Sequence, residues 1–297
     1  MWMLSRAAFA AALLSITALA SAQAPTPGRL DIAAIDRAIG RAGQNQAGDV
    51  YRVSFPRSDL DVSVGNVKVR PGLALGSWAA FKSTGAAAIA HGDLVLTDAE
   101  INPVISALQE HGFEITALHN HLANASRSVM YLHFWGHGTA TELASAVRDA
   151  LTHTRTPLGP LSPPAPVAAP DFPSDQFQAV IGLRGAVNGG VLGLAQPRPE
   201  TIQMMGVTLP PSMGMSTAIN VQAAGEGRVA ATGDFVMLAD EVNPVAKALR
   251  QHGIAITALH NHMLHGSPEL YFMHFWAEGD ASTVATGLKA ALDLLKH

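Results

Sequence analysis

Apolar positions along this chain follow two periods that alternate, one helical and one of two residues, and the alternation recurs. Leu30 to Gly40 spaces its apolar residues at helical intervals and stops on glycine, which predicts a short helix. Asp49 to Phe55 alternates, and Leu60 to Val69 is β-branched through Val62, Val64, Val67 and Val69, so both predict strands. Trp78 to Phe81 and Ala86 to Ala90 continue the strand material, and Gly92-Asp93 reads as a turn before a strand Leu94-Val95-Leu96.

A helix follows. Asn102-Pro103 places a capping side chain before a proline, Val104, Ile105 and Leu108 form the apolar stripe, and His111-Gly112 closes it. Thr97, three residues before Glu100, offers a capping-box start one turn earlier. Phe113 to His121 and Val129 to Trp135 predict two more strands, and Thr139 to Leu151 a closing amphipathic helix.

The same succession then returns. Gly233-Asp234 follows Gly92-Asp93 by 141 residues, and at that offset Glu241 matches Glu100, Asn243-Pro244-Val245 matches Asn102-Pro103-Val104, and His252-Gly253 matches His111-Gly112. The match reaches back more weakly, with Pro197-Arg198 under Pro56-Arg57 and Ile181-Gly182 under Ile39-Gly40. Residues 156–173 carry Pro157, Pro160, Pro163, Pro164, Pro166, Pro170 and Pro173 and predict a stiff extended linker. The expected fold class is therefore α+β: tandem copies of one unit, 29–155 and 174–297, with mainly antiparallel sheets in a pseudo-twofold arrangement.

Composition narrows the function classes. With 48% hydrophobic residues in 297, the chain can bury a core. A net charge of -4 with 14% charged residues leaves no basic surface for a phosphate backbone, so nucleic acid is not an expected partner. Met1 to Ala22 reads as a secretory signal, with Arg6, an apolar run from Ala7 to Ala20 and an Ala20-Ser21-Ala22 cleavage site. That run is too short to span a bilayer, and no later segment is long and apolar enough, so a periplasmic or secreted protein without a membrane span is expected. Cysteine is absent, so there are no disulfides, no thiolate ligands and no lipobox.

Histidine carries the candidate chemistry. Ala117-Leu118-His119-Asn120-His121 returns as Ala258-Leu259-His260-Asn261-His262, and a third histidine follows on an aromatic segment, His133 before Phe134-Trp135 and His274 before Phe275-Trp276. Residues two apart in a strand share a face, so His119 and His121 project together, as do His260 and His262, and an antiparallel neighbour brings His133 or His274 beside them. Three imidazoles with one open position form the ligand set of catalytic zinc, and they suit other divalent transition metals. Polar residues at a sheet rim are the alternative account.

Glu100 and Glu241 are candidate general bases, with helix capping as the competing role. Arg57 and Arg198 are candidates for an anionic ligand group, with surface ion pairs as the alternative, and Trp135 and Trp276 for an apolar or sugar-stacking wall, with core packing as the alternative. His111 and His252 are expected at helix ends, Asp93 and Asp234 in turns, and His91, His137, His153, His265 and His297, unmatched between the copies, at the surface.

The duplicated Gly-Asp-Leu-Val-Leu (residues 92–96), Asn102-Pro103-Val104, Thr116-Ala117-Leu118-His119-Asn120-His121 and later His-Phe-Trp resemble the LppY/LpqO family of exported bacterial proteins. The resemblance implies export and a twofold-repeated domain and brings no catalytic residues. The reading from residues is a metal-binding protein, with metal-dependent hydrolysis as its catalytic form. The alternative is a non-enzymatic module for a small molecule, glycan or peptide.

Overall fold

The computed structural model describes residues 28–160 and 171–296. The Met1–Ala22 leader, residues 161–170 of the predicted linker and His297 lie outside the described residues. The first half runs α1 (Ile32–Ile39), β1 (Gln44–Gln46), β2 (Val50–Pro56), β3 (Gly76–Ser83), β4 (Ala88–Leu96), α2 (Asp98–Glu110), β5 (Glu114–His119), β6 (Met130–Gly138) and α3 (Ala140–Thr152). The second half runs α4 (Ser174–Ile181), β7 (Gly185–Asn188), β8 (Val191–Pro197), β9 (Ser216–Ala223), β10 (Arg228–Met237), α5 (Ala239–Gln251), β11 (Ala255–His260), β12 (Tyr271–Asp280) and α6 (Ala281–Leu292).

Each half builds a six-stranded antiparallel sheet, ordered β1-β2-β3-β4-β6-β5 in the first and β7-β8-β9-β10-β12-β11 in the second, so the chain is α+β with one topology used twice. Strand alternation decides what each face does. Val53, Phe55, Phe81, Leu94, Leu132 and Phe134 meet Ile35, Val104, Leu108 and Val147 of the helices in one core, and the second half repeats this with Leu192, Phe235, Phe275, Val245 and Leu288. The opposite faces of the two sheets are turned toward each other. There Trp78, Ile89 and Trp135 share a cluster with Met204, Met213 and Phe272, while Val95 and Tyr131 share one with Val191 and Trp276.

Between β2 and β3, and again between β8 and β9, the chain leaves its sheet as an arm, residues 57–75 and 198–215, and reaches across to the other half. Asn220 Nδ2 donates to the Leu73 carbonyl (3.1 Å) and Gln222 Nε2 to that of Lys68 (2.8 Å). Reciprocally, Arg52 Nη1 donates to the Ser212 carbonyl (3.3 Å) and Ser212 Oγ to that of Ala47 (2.7 Å). The strand expected over Leu60 to Val69 is in fact part of this arm, reduced to the short pairs Ser63–Val64 and Val67–Lys68. Apolar β-branched residues are used here to cover the neighbour's sheet, which is why Val62 and Val69 are buried outside regular strand.

Two further readings change. The start of α2 is set by Thr97, whose amide donates a hydrogen bond to Glu100 Oε2 (2.8 Å), and Pro103 lies inside the helix. Gly92-Asp93 is no turn: β4 runs straight through it, and Gly92 is required because a Cβ there would collide with the Trp78 carbonyl oxygen and the Phe134 ring. Gly233 answers to the same constraint against Ala218.

Candidate metal centre

The site lies where the inner faces of the two sheets meet. β6 carries His133 and β12 carries His274, and each stands directly opposite an aspartate of the neighbouring strand: Asp93 pairs with His133, and Asp234 with His274. On the other side His133 faces Ala117 of β5, and His274 faces Ala258 of β11. Both edge strands shift register at the threonine before those alanines, Thr116 and Thr257, a bulge that re-aims the last residue of each strand, His119 or His260. The strands stop there. His121 and His262, expected to continue them, lie just beyond in the following loops, and the Thr257 hydroxyl donates to the His121 carbonyl (2.6 Å) to fix one half on the other.

The six histidines form one cluster, in which the expected second trio, His260, His262 and His274, is joined by His119. His119 stacks on His260 at 3.5 Å between ring centroids, on the pseudo-twofold axis itself. His133 stacks on His262 (3.8 Å), and the symmetry-related pair, His274 on His121, stands at 3.6 Å. Each outer ring is backed by an aromatic of its own half, Tyr131 behind His121 (3.3 Å) and Phe272 behind His262 (3.6 Å). The third histidine of each half thus meets the second histidine of the other, and the constellation belongs to neither copy alone.

Local hydrogen bonds choose the ring nitrogens. His119 Nδ1 donates to the Asn120 carbonyl (3.3 Å), His260 Nδ1 to that of Asn261 (3.4 Å), and His274 Nδ1 to that of Gly233 (2.8 Å). A carbonyl only accepts, so Nδ1 carries the proton and Nε2 presents its lone pair. Each of the six histidines has at least one buried ring nitrogen without a hydrogen-bond partner, and so have the Oδ1 atoms of Asp93 and Asp234. Orphaned buried polar atoms are costly in a native fold unless something binds them. His119, His260, His262 and His274 each offer a ligand atom within 4.8 Å of the others, so these four could hold a metal ion.

Electrostatics favour the neutral ligand form. Burial lowers the His119 pKa to about 3, with the neighbouring His260 adding to the shift, and lowers that of His260 to about 4. Burial and the other imidazoles hold His121, His133, His262 and His274 well below the usual histidine range. Burial pushes Asp93 up to about 8, against the pull of the Arg52 charge, and pushes Asp234 well above its usual range with help from Asp93. Asp93 stands 4.0 Å from His121 Nε2 and 3.9 Å from His133 Nε2, while Asp234 stands 3.5 Å from His262 Nε2 and 3.8 Å from His274 Nδ1.

A cleft of about 920 Å³ opens onto the cluster, lined from both halves by Arg52, Trp78, Asp93, Tyr131, Asp234 and four of the histidines among others. The remaining candidate residues sit elsewhere. Arg57 is fully buried at the base of the first arm, where its guanidinium donates to Asp59 (2.9 Å) and to both oxygens of Glu100 (2.8 and 3.1 Å). Arg198 repeats this with Glu200 and Glu241. Burial raises the Glu100 pKa, but hydrogen bonds from Arg57 and the Thr97 and Arg155 amides outweigh it and hold the carboxyl below its ordinary value; Glu241 behaves alike.

The expected bases and anion-binding arginines are thus placed as two buried clamps joining arm, sheet and helix start. Among the described residues, no hydrogen bond of Glu100 or Glu241 reaches a histidine. Trp135 packs beside Trp78 and Ile89, and Trp276 against the apolar residues of the first arm, so neither lines the cleft. His111 and His252 cap helix ends as expected. His137, His153 and His265 are exposed, while His91, expected at the surface, is fully buried with its Nδ1 on the Phe134 carbonyl (3.0 Å).

Sequence reasoning missed Asp93 and Asp234. Their parity opposite to the core-facing Leu94 and Leu96, on an unbroken strand, was the available signal, hidden by a glycine that reads as a turn.

A comparison with curated proteins gives no match. Among solved structures the chain shows similarity to a trimeric bacterial microcompartment shell protein, PduB, at 13% identity over 85% of this chain and 89% of that one, with a TM-score of 0.22. It also shows similarity to EtuB from Clostridium kluyveri at 12% identity over 84% and 88%, with a TM-score of 0.21. Superposition this poor carries no argument. The family model described as DUF1529, Domain of Unknown Function (DUF1259), matches residues 33–153 and again residues 175–294. The two matches take in most of the chain and coincide with the two halves of the fold, and the protein belongs to the DUF1529 family.

Proposed function

We propose that this protein binds a divalent transition metal, zinc by its all-nitrogen donor set, at the junction of its two halves, with His119, His260, His262 and His274 as ligands and Asp93 and Asp234 beside them. One observation carries the reading: hydrogen bonds fix Nδ1 as the protonated nitrogen in His119, His260 and His274, the Nε2 atoms so released are buried and unpartnered, and one ring nitrogen from each of these three and from His262 lies within 4.8 Å of the others. Neutral imidazoles held by carbonyl partners are the usual form of a zinc ligand.

The cleft supports a catalytic form of this reading, hydrolysis of a small molecule. A bound zinc would supply Lewis acidity toward an oxygen in the cleft. The chain's own part would be to exclude bulk water, through the apolar arms, and to hold a proton on Asp93, whose raised pKa of about 8 lets it act as acid or base near neutrality. His121 Nε2 and His133 Nε2 stand 4.0 and 3.9 Å from that carboxyl. The apolar leader and the resemblance to the LppY/LpqO family support an exported setting. Among the described residues no helix is long and apolar enough to cross a membrane.

The test is elemental analysis of protein purified without a histidine tag, with thermal melting before and after chelation. Stoichiometric metal and a melting point lowered by chelation are expected. Absence of metal, with melting unchanged by chelator or added zinc, would leave the non-enzymatic binding module as the better account.

A further inference from the structure

The twofold relation between the halves fails at one place beside the histidines. Strand pairing aligns Arg52 and Ala80 of the first half with Gly193 and Asn220 of the second, and Trp78 opposite Asp93 with Ala218 opposite Asp234. The same fold is therefore built in the second half with no arginine and no tryptophan at these positions.

Arg52 lines the cleft, its guanidinium carbon 4.0 Å from the Trp78 ring centroid. Stacking on an aromatic face holds the planar group in one orientation. Its one hydrogen bond given by the structure is from Nη1 to the Ser212 carbonyl (3.3 Å), and among the described residues it joins no ion pair. The contrast with Arg57 and Arg198, which each engage two carboxylates, is direct. Burial lowers the Arg52 pKa to about 10, countered by the charge of Asp93.

From Arg52 the way to the histidines runs across the sheet. Ser54, Trp78, Asp93 and His133 form one row of cross-strand neighbours. Neighbouring strands are spaced by about 4.8 Å, so β2 and β6 lie roughly 14 Å apart, within reach of a ligand of modest size. The cleft wall is mostly apolar, with Pro71, Leu73, Ala74, Ala195, Pro197 and Pro211 contributed by the two arms and β8. A volume of about 920 Å³ is that of a small-molecule site.

We infer that Arg52, positioned by Trp78, anchors the oxyanion head, carboxylate or phosphate, of a small organic ligand whose apolar body lies along the cleft toward the histidines. The inference rests on the metal reading only for what lies at the far end of that ligand. The anchor itself needs no metal.

The experiment titrates benzoate, phenyl phosphate and, as the uncharged control, benzyl alcohol into wild-type protein, Arg52→Gln and Arg52→Lys, each stripped with chelator and each loaded with zinc. Heat of binding and Trp fluorescence are read. Wild type should bind at least one of the two anions, and Arg52→Gln should weaken it by at least about tenfold, the scale of a lost charge-assisted hydrogen bond. Arg52→Lys, which keeps the charge and folds with a similar stem, should lie between them. Preference for benzoate or phenyl phosphate distinguishes the two head groups, and benzyl alcohol should not respond to the substitutions.

Equal anion binding by all three proteins, or no anion binding by either form of wild type, overturns the inference. Failure of the metal reading shows separately, as zinc that does not bind to wild type while the anion response to Arg52→Gln persists.

Discussion

The rings of His133 and His262 stack at 3.8 Å although 129 residues separate them and they belong to different copies of the repeat. The related pair, His274 and His121, does the same at 3.6 Å, and His119 meets His260 between them. The cluster draws its rings from both halves.

Removing a ligand from either half should therefore have the same consequence. His119→Ala and His260→Ala are each expected to weaken zinc binding by at least about tenfold, with the double variant little worse than the singles, because residues acting as one unit are not additive. Competition titration with a chromophoric chelator reads this. Singles that each remove half of two independent sites would contradict the shared centre.

The aspartates should tune the metal without creating it. Asp93→Asn and Asp234→Asn keep the shape of the strands but remove the carboxylates beside His121, His133, His262 and His274. Outer carboxylates of this kind contribute about 10- to 100-fold in metal affinity or activity. An unchanged zinc affinity in both variants would return Asp93 and Asp234 to a purely structural role.

The two arginine clamps should matter for stability and leave the metal alone. Glu100→Ala strands the buried Arg57, and removing one partner of a buried pair is destabilising by about 3–5 kcal/mol. Denaturant unfolding of Glu100→Ala and Glu241→Ala should show losses of that order, while refolded protein binds zinc as wild type does. A zinc or turnover defect without loss of stability would restore these glutamates as candidate bases.

Much of the fold was legible because periodicity and repetition are local signals. The helices α2 and α3, the strands β2, β3 and β6 and the offset between the copies follow from spacing and caps. The arms were not, since Val62, Val64 and Val69 carry the same β-branched pattern whether they pair in a sheet or cover another half's sheet. All six histidines were visible as a matched set, but their interleaving was hidden. Nothing in the order His119, His121, His133 says that the third ring meets the other copy's second. Arg57 and Glu100 looked like reactive groups for want of each other, a partnership across 43 residues that sequence spacing does not announce.

Acid should loosen the metal-free protein. Burial holds the His119 pKa near about 3 and that of His260 near about 4, whereas an unfolded histidine titrates near about 6.5. The unfolded chain thus binds more protons below about pH 6.5, and the histidine contribution to stability, complete above that value, is lost as pH falls toward 4. Asp93, raised to about 8, acts with the opposite sign, its contribution being present at low pH and lost as pH rises through 8. Six histidines outweigh two aspartates, so the melting temperature in chelator should fall from pH 7 to pH 5. A flat or rising profile would mean that the imidazoles are not buried neutral.

The shared centre is tested most directly by crystals of the zinc-loaded protein measured on both sides of the zinc absorption edge. The anomalous difference map should show zinc bonded at about 2.0–2.1 Å to ring nitrogens from both halves, with His119 and His260 among them. Zinc held by histidines of a single half, or no peak within bonding distance of any of the six, would contradict it.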